Sequence, residues 1–213
     1  MLRALAALAV VLGSGMLLAF LHLLGEGPFA DPAMRHLRAM KDRVAVPAAT
    51  DTVTLADLAS LPHRRPLAEV AALERRGVTF EGRVQRLLPA SDGDLHFELA
   101  PPGAALDAPD RVALTAYATA EVTPAFRRRH PGWTVEGLAR ALRPNLGTET
   151  PWPGGPRLAR VSGWLCYDHQ YDDPVPDSLI ARGAPRVTGW EIHPVTRIEV
   201  FDAALGAWSE VGP

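Results

Sequence analysis

The chain has 213 residues, 47% hydrophobic and 22% charged, with a formal net charge of −2. That composition excludes a disordered chain, and the near-neutral balance excludes a global field that would draw in nucleic acid or an anionic surface. Cys166 is the sole cysteine, which excludes an internal disulfide and a Cys-rich zinc site. The length suits one ordinary domain plus extras. The 20 Pro and 18 Gly imply many turns, and Lys41 is the only lysine among otherwise arginine-based cations.

Residues 4–24 are apolar except for Gly13, Ser14, Gly15 and His22. About 20 apolar residues in a helix span a bilayer core, so residues 1–25 read as a transmembrane anchor with the bilayer as its partner. A cleaved signal peptide is the rival, although its apolar region usually runs to only about 7–15 residues. Ala30 would suit a cleavage site, but Pro28 two places earlier fits it poorly. A buried helix of a soluble protein is the third alternative. Arg3 favours an inside amino terminus, while Arg35, Arg38, Lys41 and Arg43 pull the other way. The form of the segment favours export, which gives a single-pass protein of a bacterial inner membrane with its C-terminal domain in the periplasm or outside the cell.

Residues 26–53 follow as a juxtamembrane region. Asp31-Pro32 has the form of an N-cap and a helix-opening proline. Met34, Leu37, Met40 and Val44 recur at helical spacing, either as an amphipathic helix on the bilayer or as a short stalk; residues 47–52 are linker. In the 54–76 region, Thr54 with Asp57 caps a short helix. Pro66 opens a second, with Leu67, Val70, Ala71 and Leu73 on one face and Gly77 at its end. Both are expected to pack on the domain that follows.

From residue 77 to 213 the period becomes two. Strands are expected over 78–84, 95–99, 111–118, 158–167 and 189–201, with a helix capped by Thr134 between the third and fourth. Strand, strand, strand, helix, strand, strand is the order of the five-stranded OB-fold, a small barrel that often binds oligonucleotides or oligosaccharides. The expected class is therefore mainly β: a five-stranded OB-like barrel behind one transmembrane helix and short helices. A small β-sandwich or another β-barrel is the alternative.

The runs Ser91–Leu99, Val161–Asp168 and Gly189–Val200 carry an Asp-Gly-Asp-x-His strand and a Trp-Glu-Ile-His-Pro strand. In these the chain resembles a group of poorly characterised bacterial exported OB-like proteins, over roughly residues 77 to 202. The resemblance implies a fold and a location; it brings no activity and no catalytic residues.

Three polar clusters could carry chemistry. Asp92, Asp94, His96 and Glu98 lie around the second strand, with His96 and Glu98 opposite its core face. Tyr167 to Asp173 end the fourth strand, and Glu191 and His193 open the fifth. Antiparallel pairing of the last two strands would bring Asp168 or His169 near His193. Two imidazoles and a carboxylate can hold a divalent metal or move protons. The plainer reading is that Asp168 and His193 bond loop backbone, with Pro194 marking a bulge or edge. His96 sits on a strand expected not to neighbour the fifth. Arg127, Arg128 and Arg129 form the only dense basic run, either a solvated loop or a contact for phosphate or anionic lipid. Tyr117 joins His96, Glu98 and these arginines as a candidate binding surface. Phosphate loops, zinc-protease histidine pairs and nucleophile elbows are missing, and Cys166 reads as a core hydrophobe.

The leading functional reading is thus a tethered, non-enzymatic OB-like module that binds a partner protein or envelope polymer, without nucleic acid and without an obligate cofactor. A metal-dependent, nuclease-like hydrolase using Asp168, His169 and His193 is the second reading. A structural subunit of a membrane complex is the third.

Overall fold

The computed structural model describes residues 13–20, 31–104, 106, 116–145, 152, 154–171 and 186–212. The chain divides into two compact units, Met1–Met40 and Lys41–Pro213. In the first, residues 13–20 are helical and exposed. Helix α1, Pro32–Lys41, starts where Asp31 Oδ1 accepts the Ala33 amide at 3.1 Å, and its last residue opens the second unit.

The expected anchor over residues 4–24 finds no support. Among the described residues no helix is long and apolar enough to cross a membrane. Residues 4–12 and 21–24 lie outside the described residues. The single-pass inner-membrane placement rested on that anchor and is withdrawn with it.

In the second unit the elements are β1 (Asp51–Val53), α2 (Leu55–Ser60), α3 (Leu67–Leu73), β2 (Gly77–Pro89), β3 (Leu95–Ala100), β4 (Tyr117–Val122), α4 (Pro124–Arg129), α5 (Val135–Leu142), β5 (Leu158–Tyr167), a 3₁₀ turn (His169–Tyr171), β6 (Arg186–Asp202) and β7 (Ala207–Glu210). Local chemistry accounts for several boundaries. Thr54 and Asp57 form a reciprocal capping box on α2, which satisfies two backbone donors that a helix start otherwise leaves bare. Thr134 caps α5 through the Gly137 amide.

The strands form one mixed sheet of seven, in the order β1-β2-β3-β4-β6-β5, with β7 on β6 and a further pairing of β2 with β5. The β1–β2 and β4–β6 pairs are parallel; the others are antiparallel. This replaces the expected five-stranded OB-like barrel. Two strands were not anticipated: β1 was read as linker, because three residues are too few to show a period, and β7 was not assigned. The third strand was expected at 111–118 and is found at Tyr117–Val122; residues 111–115 lie outside the described residues. The helical interlude holds two helices, with the arginine run on α4 instead of a loop.

Alternate residues of the central strands supply the core. Phe97 and Leu99 of β3, Ala118 and Ala120 of β4, Val161 and Leu165 of β5, and Trp190 and Ile192 of β6 meet Leu58 of α2 and Leu138 of α5 in one apolar cluster. Burying each Leu, Phe or Ile contributes roughly 1.5–3 kcal/mol. Strand β4 is buried along its whole length, so its second face is covered as well, and that face is polar.

Strands β5 and β6 approach closely at Gly163. Their register shifts on both sides of Gly163, and a Cβ built there would run into the Pro194 carbonyl oxygen. The obstacle is backbone, which cannot rotate away. Gly163→Ala should therefore cost about 1–3 kcal/mol, read as a lower urea midpoint; an unchanged midpoint would show that the two strands separate freely here.

Candidate metal centre

The parallel pairing of β4 with β6 decides which polar side chains meet. Thr119 lies opposite Glu191 and Ala120 opposite Ile192. One residue further on, Glu121 and His193 share the polar face, since side chains alternate along a strand. On the other side of β4, His96 of β3 pairs with Glu121. Asp94 precedes β3 in the hairpin turn, where Gly93 has φ 93° and Asp92 Oδ1 accepts the Asp94 amide at 3.1 Å. Four chain segments thus deliver one cluster.

His193 is at its centre and is fully buried. Its Nδ1 is 3.0 Å from Glu121 Oε2 and 3.1 Å from Glu191 Oε1. Its Nε2 is 3.2 Å from Asp94 Oδ2, but without the alignment of a hydrogen bond, so that nitrogen has no bonded partner. Glu121 Oε1 is held by His96 Nδ1 at 2.9 Å. Glu191 is held by Arg186 at 3.0 Å and lies 3.6 Å from Lys41 Nζ. Lys41 makes its closer contact, 2.8 Å, with buried Asp168. Arg43 ties the segment behind Lys41 to the sheet by donating to the carbonyls of Glu74, Leu165 and His193.

Charge and burial compete here. Burial opposes the imidazolium of His193, but contacts with Asp94, Glu121 and Glu191 outweigh it and raise its pKa well above the ordinary value. Burial also opposes ionisation of Glu121, yet His193 and His96 hold its carboxyl well below the usual range. For Asp94 burial prevails over the neighbouring His193 and pushes the carboxyl up. Burial would lower Lys41, but the carboxylates of Glu191 and Asp168 keep it charged.

Asp94, Glu121 and His193 each offer a ligand atom, all within 4.8 Å of one another and all buried, so the group could hold a metal ion. The fit can be tested on charge. Asp94, Glu121, Asp168 and Glu191 face two fixed cations, Lys41 and Arg186. With neutral imidazole two negative charges remain, which a divalent cation would neutralise. Without metal, an imidazolium at His193 offsets part of that charge, and the direction of its shift favours the charged ring. The donor set, one nitrogen and two carboxylates, also suits a divalent ion.

The residues expected to matter are distributed unevenly. Of the expected metal ligands, His193 is central, Asp168 is engaged by Lys41, and His169 lies in the 3₁₀ turn outside the ligand group. His96 joins the centre through Glu121, across the strand between them. Glu98 pairs with Arg86 at 3.1 Å, and burial raises the pKa of Glu98 and of Tyr117 beside it. Arg127 Nη1 donates to the Gly93 carbonyl at 3.0 Å, holding the turn that carries Asp94. Arg129 Nη1 donates to the Val44 carbonyl at 2.6 Å, and Arg128 is exposed. The sequence reading missed Glu121, Lys41 and Arg186. A signal for Glu121 existed in the alternation of Tyr117 to Val122, had the strand been placed there.

No family model matches this chain, and no curated protein matches it. The likeness to exported OB-like proteins therefore rests on its motifs alone.

Proposed function

We propose that this chain is a non-enzymatic binding domain for a partner protein or polymer, stabilised by a divalent cation held by Asp94, Glu121 and His193. The observation that carries the cation is the fully buried Nε2 of His193, which has no hydrogen-bond partner and faces Asp94. A buried polar atom without a partner is costly, and a metal ion would satisfy it. The ligands are 7%, 8% and 0% exposed, which favours a closed structural centre over a catalytic one that keeps a position open to substrate. A hydrolase built on Asp168, His169 and His193 has less support, because Lys41 occupies Asp168.

A surface for the partner is offered by the segment after Lys41. Val44 and Val46 are exposed, and Arg129 lies beside them through its bond to the Val44 carbonyl. Mixed apolar and arginine surfaces of this kind suit macromolecular contacts.

The test is the metal content of the purified full chain after exposure to divalent ions and removal of the excess. We expect about one equivalent, lost in Asp94→Asn with the fold retained by circular dichroism. A folded wild-type chain that holds no divalent ion would sink the cation reading. Chelation of the loaded protein should also lower its melting temperature, because an ion bound only to the folded state stabilises it by mass action; an unaltered melt would mean that the ion is not structural.

A further inference from the structure

We propose that the polar face of the sheet holds a single internal water molecule, hydrogen-bonded between Glu98 of β3 and Thr119 of β4. The proposal does not depend on the cation reading above.

One cross-strand row of side chains defines the site. Arg86 of β2 lies opposite Glu98 of β3, Glu98 opposite Thr119 of β4, and Thr119 opposite Glu191 of β6. Both ends of the row are paired. Arg86 Nη1 donates to Glu98 Oε1 at 3.1 Å, and Glu191 Oε2 accepts from Arg186 at 3.0 Å. The middle differs, because Glu98 Oε2 and Thr119 Oγ1 are both buried and neither has a hydrogen-bond partner. Glu98 is 2% exposed and Thr119 0%, so bulk solvent reaches neither oxygen. Leaving two buried polar atoms bare is costly. Side chains directly opposite on paired strands stand about 4.5–5.5 Å apart at Cβ. Two hydrogen bonds of about 2.8 Å each, made through one intervening oxygen, bridge a gap of that order.

The chemistry of the row selects water. The charge of Glu98 is already met by Arg86, and one carboxylate oxygen with one hydroxyl is too small a donor set for a metal ion. An anion would face the carboxylate. A neutral molecule that both donates and accepts fits, giving a proton to Glu98 Oε2 and accepting that of the Thr119 hydroxyl. Tyr117, two residues earlier on the same face of β4, lies beside Glu98 and can supply the third hydrogen bond that a buried water usually makes. The water ties the Arg86–Glu98 pair to β4, the strand that brings Glu121 to His193.

The experiment is a crystal structure of the full chain at a resolution that shows ordered solvent, with urea denaturation of the wild type and of Thr119→Val. The expected structure has one solvent oxygen within hydrogen-bonding distance of both Glu98 Oε2 and Thr119 Oγ1. Valine keeps the shape of threonine and deletes the hydroxyl, so the sign of its effect discriminates. A bonded hydroxyl makes Thr119→Val less stable, with the unfolding equilibrium constant raised roughly 2–12-fold. A bare hydroxyl makes the same change neutral or stabilising, which would overturn the proposal. So would a structure in which Glu98 and Thr119 bond each other directly, or in which a metal ion or no solvent lies between them. Should Thr119→Val not fold, the wild-type density decides alone.

Discussion

Replacing His193 with alanine is expected to lower stability at neutral pH by about 3–5 kcal/mol, the cost of removing one partner from a buried ionic group. The imidazole is the only described side chain that touches Asp94, Glu121 and Glu191 together, and it is fully buried. Its loss leaves carboxylates that burial penalises, with Arg186 and Lys41 reaching only Glu191 and Asp168. Urea denaturation followed by tryptophan fluorescence measures the effect; an unchanged midpoint would remove this cluster from the interactions that hold the fold.

The pH dependence of the same pair of proteins carries a sign. In the metal-free wild type, the raised pKa of His193 contributes stability that is complete below about pH 6.5, its unfolded value. That contribution disappears as pH rises through the raised folded value. The lowered pKa of Glu121 contributes stability present above its unfolded value and lost as pH falls through the folded one. Without His193, burial raises the orphaned carboxyls, so the alanine variant should instead gain stability between neutral pH and about pH 5. A variant that weakens on mild acidification would contradict this account.

Lys41→Met is expected to cost about 3 kcal/mol, toward the lower end of the range for breaking a buried pair. The lysine side chain is 23% exposed, while Asp168 is fully buried 2.8 Å from it. Methionine keeps the aliphatic stem and deletes the charge, leaving Asp168 Oδ2 with no cation. The backbone amide of Gln170 still donates to the other oxygen, Oδ1, at 3.0 Å, which limits the loss. Asp168→Asn in the same background should recover much of it. A double-mutant cycle measures the coupling; an additive result would show that the contact holds no energy.

The elements that could be read in the amino-acid order are those whose signals are local. A strand was expected over Leu158 to Tyr167, and β5 occupies that span. Thr54 and Asp57 stand three apart and cap α2, and Asp31-Pro32 opens α1. His193 could be singled out with Glu191 as a polar pair on an amphipathic strand. In each case the information lies within a turn or two of chain, where spacing and side-chain chemistry suffice.

The amino-acid order therefore shows amphipathic strands, several helix starts and a histidine that could carry chemistry. The tertiary structure alone decided the company that histidine keeps. Glu121 reaches it because β4 and β6 run parallel side by side, and Asp94 because a hairpin turn ends against them. Lys41 reaches the centre from 127 residues before Asp168 in the chain. The physical reason is that a strand's alternation reveals which residues share a face, but not which strand lies beside it. Neighbours are chosen by long-range backbone pairing and by burial of the whole sheet, and neither leaves a local trace.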